Sequence, residues 1–178
     1  MKLNLSVAFL MISIYFFTEV YSLVEFTNVQ CESLDKDFAL VEYCYLKSVN
    51  RSYKYVSIKV NLLKRPINKV KVNFALYQRL NGYKPFLYNI TFDACRFLKS
   101  PKSNPVALYF YNFYKEYSNM NHTCPYDHDI VLDKLPYHSI NNKVTKTLPF
   151  PEGSYMFEVN WMAYGIPRAV TKFYLSLS

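Results

Sequence analysis

From Lys54 to Leu62 the even positions Val56, Ile58, Val60 and Leu62 are apolar, and the odd positions Ser57, Lys59 and Asn61 are polar. A period of two marks a strand with one buried face. Lys64-Arg65-Pro66-Ile67-Asn68 breaks the run. The pattern then resumes with Val70, Val72, Phe74 and Leu76 on one side and Lys69, Lys71 and Asn73 on the other. Asn81-Gly82 is a tight-turn dipeptide. After it, Pro85 to Asp93 sets Tyr88, Ile90 and Phe92 against Asn89, Thr91 and Asp93. Ser154 to Tyr164 alternates again, with Phe157, Val159, Trp161 and Ala163 sharing a face. Weaker patterns predict strands over Leu23 to Val29, Ala39 to Lys47, Ile130 to Leu135, Lys143 to Leu148 and Ala169 to Leu177.

One stretch departs from this rhythm. Between Cys95 and Cys124 the chain crosses a loop marked by Pro and Lys and meets Asn104-Pro105, a helix cap followed by a residue suited to the first helical position. Val106, Tyr109, Phe110, Phe113 and Tyr117 follow at helical spacing, while Tyr111, Tyr114 and Lys115 point elsewhere. About eight strands with one helix indicate an all-β sandwich or barrel in a single domain spanning residues 23–178.

Residues 1–22 read differently. Lys2 precedes an apolar run from Leu5 to Phe17, and Val20-Tyr21-Ser22 suits a cleavage site, so the segment reads as a secretory signal peptide. The run is shorter than the ~20 residues a membrane helix needs, and no later segment is apolar enough to span. Cysteine usage agrees with export. Cys31, Cys44, Cys95 and Cys124 permit three full pairings. Cys31–Cys44 and Cys95–Cys124 are favoured, because each closes a local loop and neighbouring strands hold such pairs at bonding distance. Asn50, Asn89 and Asn121 begin glycosylation sequons, and Asn89 falls on the polar face of its strand.

Catalytic and cofactor chemistry find little support. Only three glycines and three histidines occur in the 178 residues, with no phosphate-cradling loop and no nucleophile elbow. His122-x-Cys124 with His128 nearby lacks the paired ligand spacing of a zinc site. Asp127 and Asp129 flank His128, but a charged, turn-rich stretch belongs on the surface. The expectation is no enzyme, no metal and no cofactor. The net charge of +8 includes Lys59, Lys64, Arg65, Lys69 and Lys71, read as a cluster on the outward face of the third and fourth strands. In an exported protein this speaks for solubility or attraction to anionic headgroups, and against nucleic acid as a partner.

A family resemblance rests on particular residues. They are Phe26-Thr27-Asn28-Val29-Gln30-Cys31-Glu32-Ser33, Val41-Glu42-Tyr43-Cys44-Tyr45-Leu46-Lys47, Asp93-Ala94-Cys95-Arg96-Phe97-Leu98, Tyr117 through Tyr126 with Cys124-Pro125, and Leu148-Pro149-Phe150-Pro151-Glu152-Gly153. The chain resembles the insect secreted DUF1091 family, which includes CheB-type chemosensory proteins and is related to the MD-2-related lipid-recognition (ML) fold. It has four cysteines where ML proteins commonly have six. The resemblance implies an immunoglobulin-like β-sandwich with a hydrophobic cavity between its sheets. It further implies extracellular binding of a lipid or other hydrophobic small molecule, with a role in pheromone perception. Ile58, Val60, Phe74, Leu76, Phe92, Phe113, Phe157 and Trp161 are the candidate lining residues, in a slot of ~300–1,000 Å³. The competing reading is an extracellular interaction protein without a small ligand, such as an accessory to a membrane receptor.

Overall fold

The computed structural model describes residues 23–50, 53–141 and 150–178. Among these residues eight strands form two antiparallel sheets: β1 (Val24–Ser33), β2 (Ala39–Asn50), β3 (Tyr53–Leu62), β4 (Val70–Leu80), β5 (Gly82–Asp93), β6 (Ile130–Pro136), β7 (Gly153–Ala163) and β8 (Ile166–Leu177). The larger sheet runs β1-β8-β7-β4-β5 and the smaller β2-β3-β6. The fold is an all-β sandwich. The strand read over Lys143 to Leu148 and the segment 1–22 lie outside the described residues.

The alternation in the sequence sets the faces. Val72, Phe74 and Leu76 of β4, Tyr155 and Val159 of β7, and Val56, Ile58 and Leu62 of β3 are buried between the layers. On the outer side of the larger sheet, Asn73 donates to Asn89 (2.8 Å) and Thr91 (3.0 Å), and Asn160 donates to Asn73 (3.3 Å). Cross-strand amide bonds of this kind hold the register on a face that packing does not fix. Asn89 is exposed, as are Asn50 and Asn121.

Between β5 and β6 the helix expected between Cys95 and Cys124 is present, and a shorter one that starts at Ala94 and carries Cys95 precedes it. Asp93 caps α1 (Ala94–Lys99), its carboxylate accepting from the Arg96 backbone N–H at 2.8 Å. Asn104 caps α2 (Pro105–Tyr114), accepting from the Ala107 N–H at 3.1 Å, with Pro105 in its first turn. The loop expected after Cys95 is therefore helical, started by an aspartate that the strand pattern had assigned to β5.

Helix α2 sits over β4, β5 and β7. Phe110 stacks on Phe157 with centroids 4.8 Å apart and meets Phe74 edge-on at 5.9 Å and Tyr88 at 5.7 Å. Its opposite flank is also apolar. Ala107 and Tyr111 are buried together with Phe97 of α1, and the Tyr111 and Phe97 rings lie 5.6 Å apart. The expectation that Tyr111 and Tyr114 point away from the core fails, because α1 supplies a second wall for them.

Both expected disulfides are present, Cys31–Cys44 with Cα atoms 6.0 Å apart and Cys95–Cys124 at 5.2 Å. Their placement differs from the hairpin staple expected of adjacent strands. β1 and β2 belong to different sheets, so Cys31–Cys44 ties one layer to the other. Cys95–Cys124 ties α1 to the segment that feeds β6. β3 and β4 likewise part company, which divides the expected basic cluster. Lys59 lies on the smaller sheet, paired with Glu42 at 2.8 Å, and Lys71 lies on the larger. Ser57, expected outside, is buried. Its hydroxyl accepts from the Lys134 N–H at 3.0 Å, where β6 carries an extra residue opposite β3 and Lys134 takes φ 49°.

Two outcomes follow. Replacing Cys31 and Cys44 together by Ala lowers unfolding free energy by roughly 3 kcal/mol, the chain-entropy value for a short closed loop, read from urea midpoints. Phe110→Ala removes a ring wedged between helix and sheet and costs ~3–5 kcal/mol, on the same assay.

Candidate functional site

The layers do not meet everywhere. A cavity of about 250 Å³ runs between them, walled by both sheets, by α1 and α2, and by Ile140 of the helical turn after β6. Ile58 and Val60 border it from the smaller sheet. Phe74, Leu76, Phe92, Phe157 and Trp161 border it from the larger sheet, and Phe113 from α2. All eight candidate lining residues thus face one space. Its volume falls a little below the ~300 Å³ at which drug-sized sites begin.

The sequence pattern missed part of this wall. Tyr109, Tyr111 and Tyr114 of α2, Phe97 and Leu98 of α1, and Tyr126 beyond the disulfide also line it. The signal for α1 lay in Asp93 followed by Ala-Cys-Arg, a capping residue ahead of helix-compatible residues.

Few polar groups reach this wall. Trp161 donates its indole N–H to the Thr171 hydroxyl at 3.2 Å. Arg168 is committed to Asp35 and lies over the Phe38 ring, 4.0 Å from its centre. Among the described residues the Tyr109 hydroxyl is buried without a hydrogen-bond partner. Burial pushes its pKa up to about 12, with the neighbouring Tyr88 adding to the effect. Tyr126 is also pushed up to about 12, by burial first and by Tyr111 second. Burial raises Tyr114 further, and Tyr111 is raised as well. These phenols stay neutral donors through the physiological range.

At the Tyr126 end the histidines are absorbed into structure. Asn119 donates to the Asp129 carbonyl (2.7 Å) and to His128 Nδ1 (3.1 Å). His128 Nε2 lies 2.8 Å from His122 Nε2, and His122 Nδ1 lies 2.7 Å from the Thr123 carbonyl. His128 Nδ1 also lies 2.9 Å from the Asp129 carbonyl, so every ring nitrogen of the two histidines has a polar neighbour. The Asp129 carboxylate goes elsewhere, accepting from Arg65 (2.5 Å) and the Leu62 N–H (3.0 Å). The base-and-orienter arrangement considered for His128 and its flanking aspartates is not assembled through Asp129. Among the described residues no group of three His, Cys, Asp or Glu is placed to hold a metal ion, and no helix is long and apolar enough to cross a membrane.

Residues 72–157, from β4 through both helices into β7, match the family model described as Protein of unknown function (DUF1091). No curated protein matches the chain.

The buried phenols carry a linkage. Their folded pKa values lie above the ~10 of an unfolded tyrosine, so the stability they confer is complete below about pH 10 and is lost as pH rises toward 12. Tyrosinate absorbance titrated upward should show a late group of tyrosines ionising together with loss of the near-ultraviolet circular dichroism signal. Smooth ionisation of every tyrosine near pH ~10 contradicts this.

Proposed function

We propose that this chain is a secreted member of the DUF1091 family that binds one lipid or other hydrophobic small molecule between its sheets. The observation that carries the reading is the cavity of about 250 Å³, whose wall is almost wholly aliphatic and aromatic. A guest there gains ~25 cal/mol for each Å² of apolar surface withdrawn from water. The two disulfides agree with an oxidising compartment. The match over residues 72–157 covers most of β4, all of α2 and the first part of β7, elements that contribute to the cavity wall.

The reading is of binding rather than catalysis. His122 and His128 spend their ring nitrogens on each other and on neighbouring backbone and amide groups, and the cavity wall is built for contact area. A carrier of this kind suits chemosensation, the setting that the resemblance to CheB-type proteins implies, with delivery to a membrane receptor as one use.

The test is direct. Purified protein extracted with organic solvent should release about one lipid per chain by mass spectrometry, and emptied protein should take up a fluorescent fatty acid or long-chain alcohol. Val60→Trp, which puts a ring into the void, should abolish uptake while the protein stays folded. No lipid and no uptake, in a protein with native circular dichroism, would leave the interaction protein as the better reading.

A further inference from the structure

Five phenols stand on the cavity wall, those of Tyr109, Tyr111, Tyr114, Tyr126 and Tyr155. Most have a use inside the protein. Tyr111 donates to the Met120 carbonyl (3.2 Å), Tyr126 to the His122 carbonyl (2.8 Å) and Tyr155 to the Pro151 carbonyl (2.6 Å). Tyr109 packs against Phe110 and Phe113, with ring centroids 5.2 and 4.8 Å away, and its hydroxyl is too enclosed for a guest to reach.

Tyr114 differs from the other four. It follows Phe110 by four residues, so the two share one face of α2. Phe110 turns that face to the larger sheet by stacking on Phe157. The Tyr114 ring packs against the cluster that holds Phe26 of β1, Ile58 of β3 and Leu132 of β6, which draws on both layers. Among the described residues nothing hydrogen-bonds its hydroxyl, although burial and the phenols of Tyr111 and Tyr126 raise its pKa. Yet Tyr114 keeps part of its surface accessible. A phenol withdrawn from bulk water that still has open surface turns that surface to the cavity it lines. A buried donor without an acceptor costs free energy that a guest with an acceptor can restore.

The rest of the wall narrows the kind of acceptor. Arg168 is the one charged side chain among the described residues that line the cavity, and Asp35 already matches its charge. Its Nε–H lacks a partner, but a second carboxylate beside it would be buried without a counter-charge of its own. An alcohol would bring a further proton to place, where the Met120, His122 and Pro151 carbonyls already accept from tyrosines. A carbonyl oxygen accepts without adding a donor.

We infer that the guest is an uncharged lipid with a carbonyl oxygen, an ester or a ketone, which accepts a hydrogen bond from the Tyr114 hydroxyl while its chain fills the apolar remainder of the cavity. This rests on the proposed binding of a hydrophobic guest and names the chemistry of that guest.

Trp161, the only tryptophan of the chain, lines the cavity, so its fluorescence follows uptake. Emptied wild type and Tyr114→Phe are titrated with decane, methyl nonanoate and decanoate, at a pH where the acid is ionised. Tyr114→Phe should weaken the ester about fivefold, the worth of one hydrogen bond, and leave decane unchanged. The carbonyl stretch of the bound ester should lie at lower frequency in the wild type than in Tyr114→Phe. Without any guest, Tyr114→Phe should resist urea at least as well as the wild type, because it removes an unpaired buried hydroxyl. The inference falls, and the carrier reading stands, if the variant takes up ester and decane in the wild-type ratio or if the carbonyl band is the same in both. It falls equally if decanoate binds tightest, which would put an acid on Arg168, or if the empty variant unfolds at lower urea, which would give the hydroxyl a partner within the protein. A wild type that takes up none of the three sinks both readings.

Discussion

Five strands face three. Strands lie ~4.8 Å apart, so the smaller sheet leaves about two strand widths of the larger one uncovered, close to the ~10 Å girth of a helix. Helix α2 takes up width of that order, laying Phe110 against Phe157 of β7, Phe74 of β4 and Tyr88 of β5. The rest of the architecture answers to this substitution. A helix presents rings on a curved surface, and a curved surface against a twisted sheet packs less evenly than two sheets do. Side chains of the smaller sheet and of α2 border the same cavity.

The layers share no backbone ladder, so other bonds hold them in register. Cys31–Cys44 joins them at the β1 side, and Cys95–Cys124 joins the helical roof to the segment entering β6. The Lys54–Glu25 pair crosses the same gap at 2.5 Å, half-exposed and correspondingly weak. Covalent ties at both flanks let the middle stay loosely filled without the sheets drifting apart.

Much of this was legible in the residues. The alternation in β3, β4, β5 and β7 placed the inward side chains correctly because one face of each strand is buried and a one-residue slip would expose it. Asn104-Pro105 announced α2 through local hydrogen bonding that needs no tertiary partner. Other features were hidden because they depend on distant parts of the chain. Nothing in β3 and β4 says that consecutive alternating strands join different sheets, so the lysines were grouped on one face when they lie on two. Ser57 is buried because β6 bulges against it, a fact about Lys134. Tyr111 and Tyr114 turned inward because α1 stands behind them, and α1 was masked by the apolar alternation running straight into its capping aspartate.

Among the described residues β5 ends the larger sheet and pairs only with β4, which leaves its other side as an edge of backbone donors and acceptors. Three residues spoil that row. Pro85 lacks a donor, Lys84 carries charge, and Leu87 turns the backbone to φ 55°. A further strand laid along β5 would meet a gap, a charge and a bend in four residues, which protects against edge-to-edge fibril growth. The interruption lies within one short stretch of the edge, beside an interior that is almost wholly apolar.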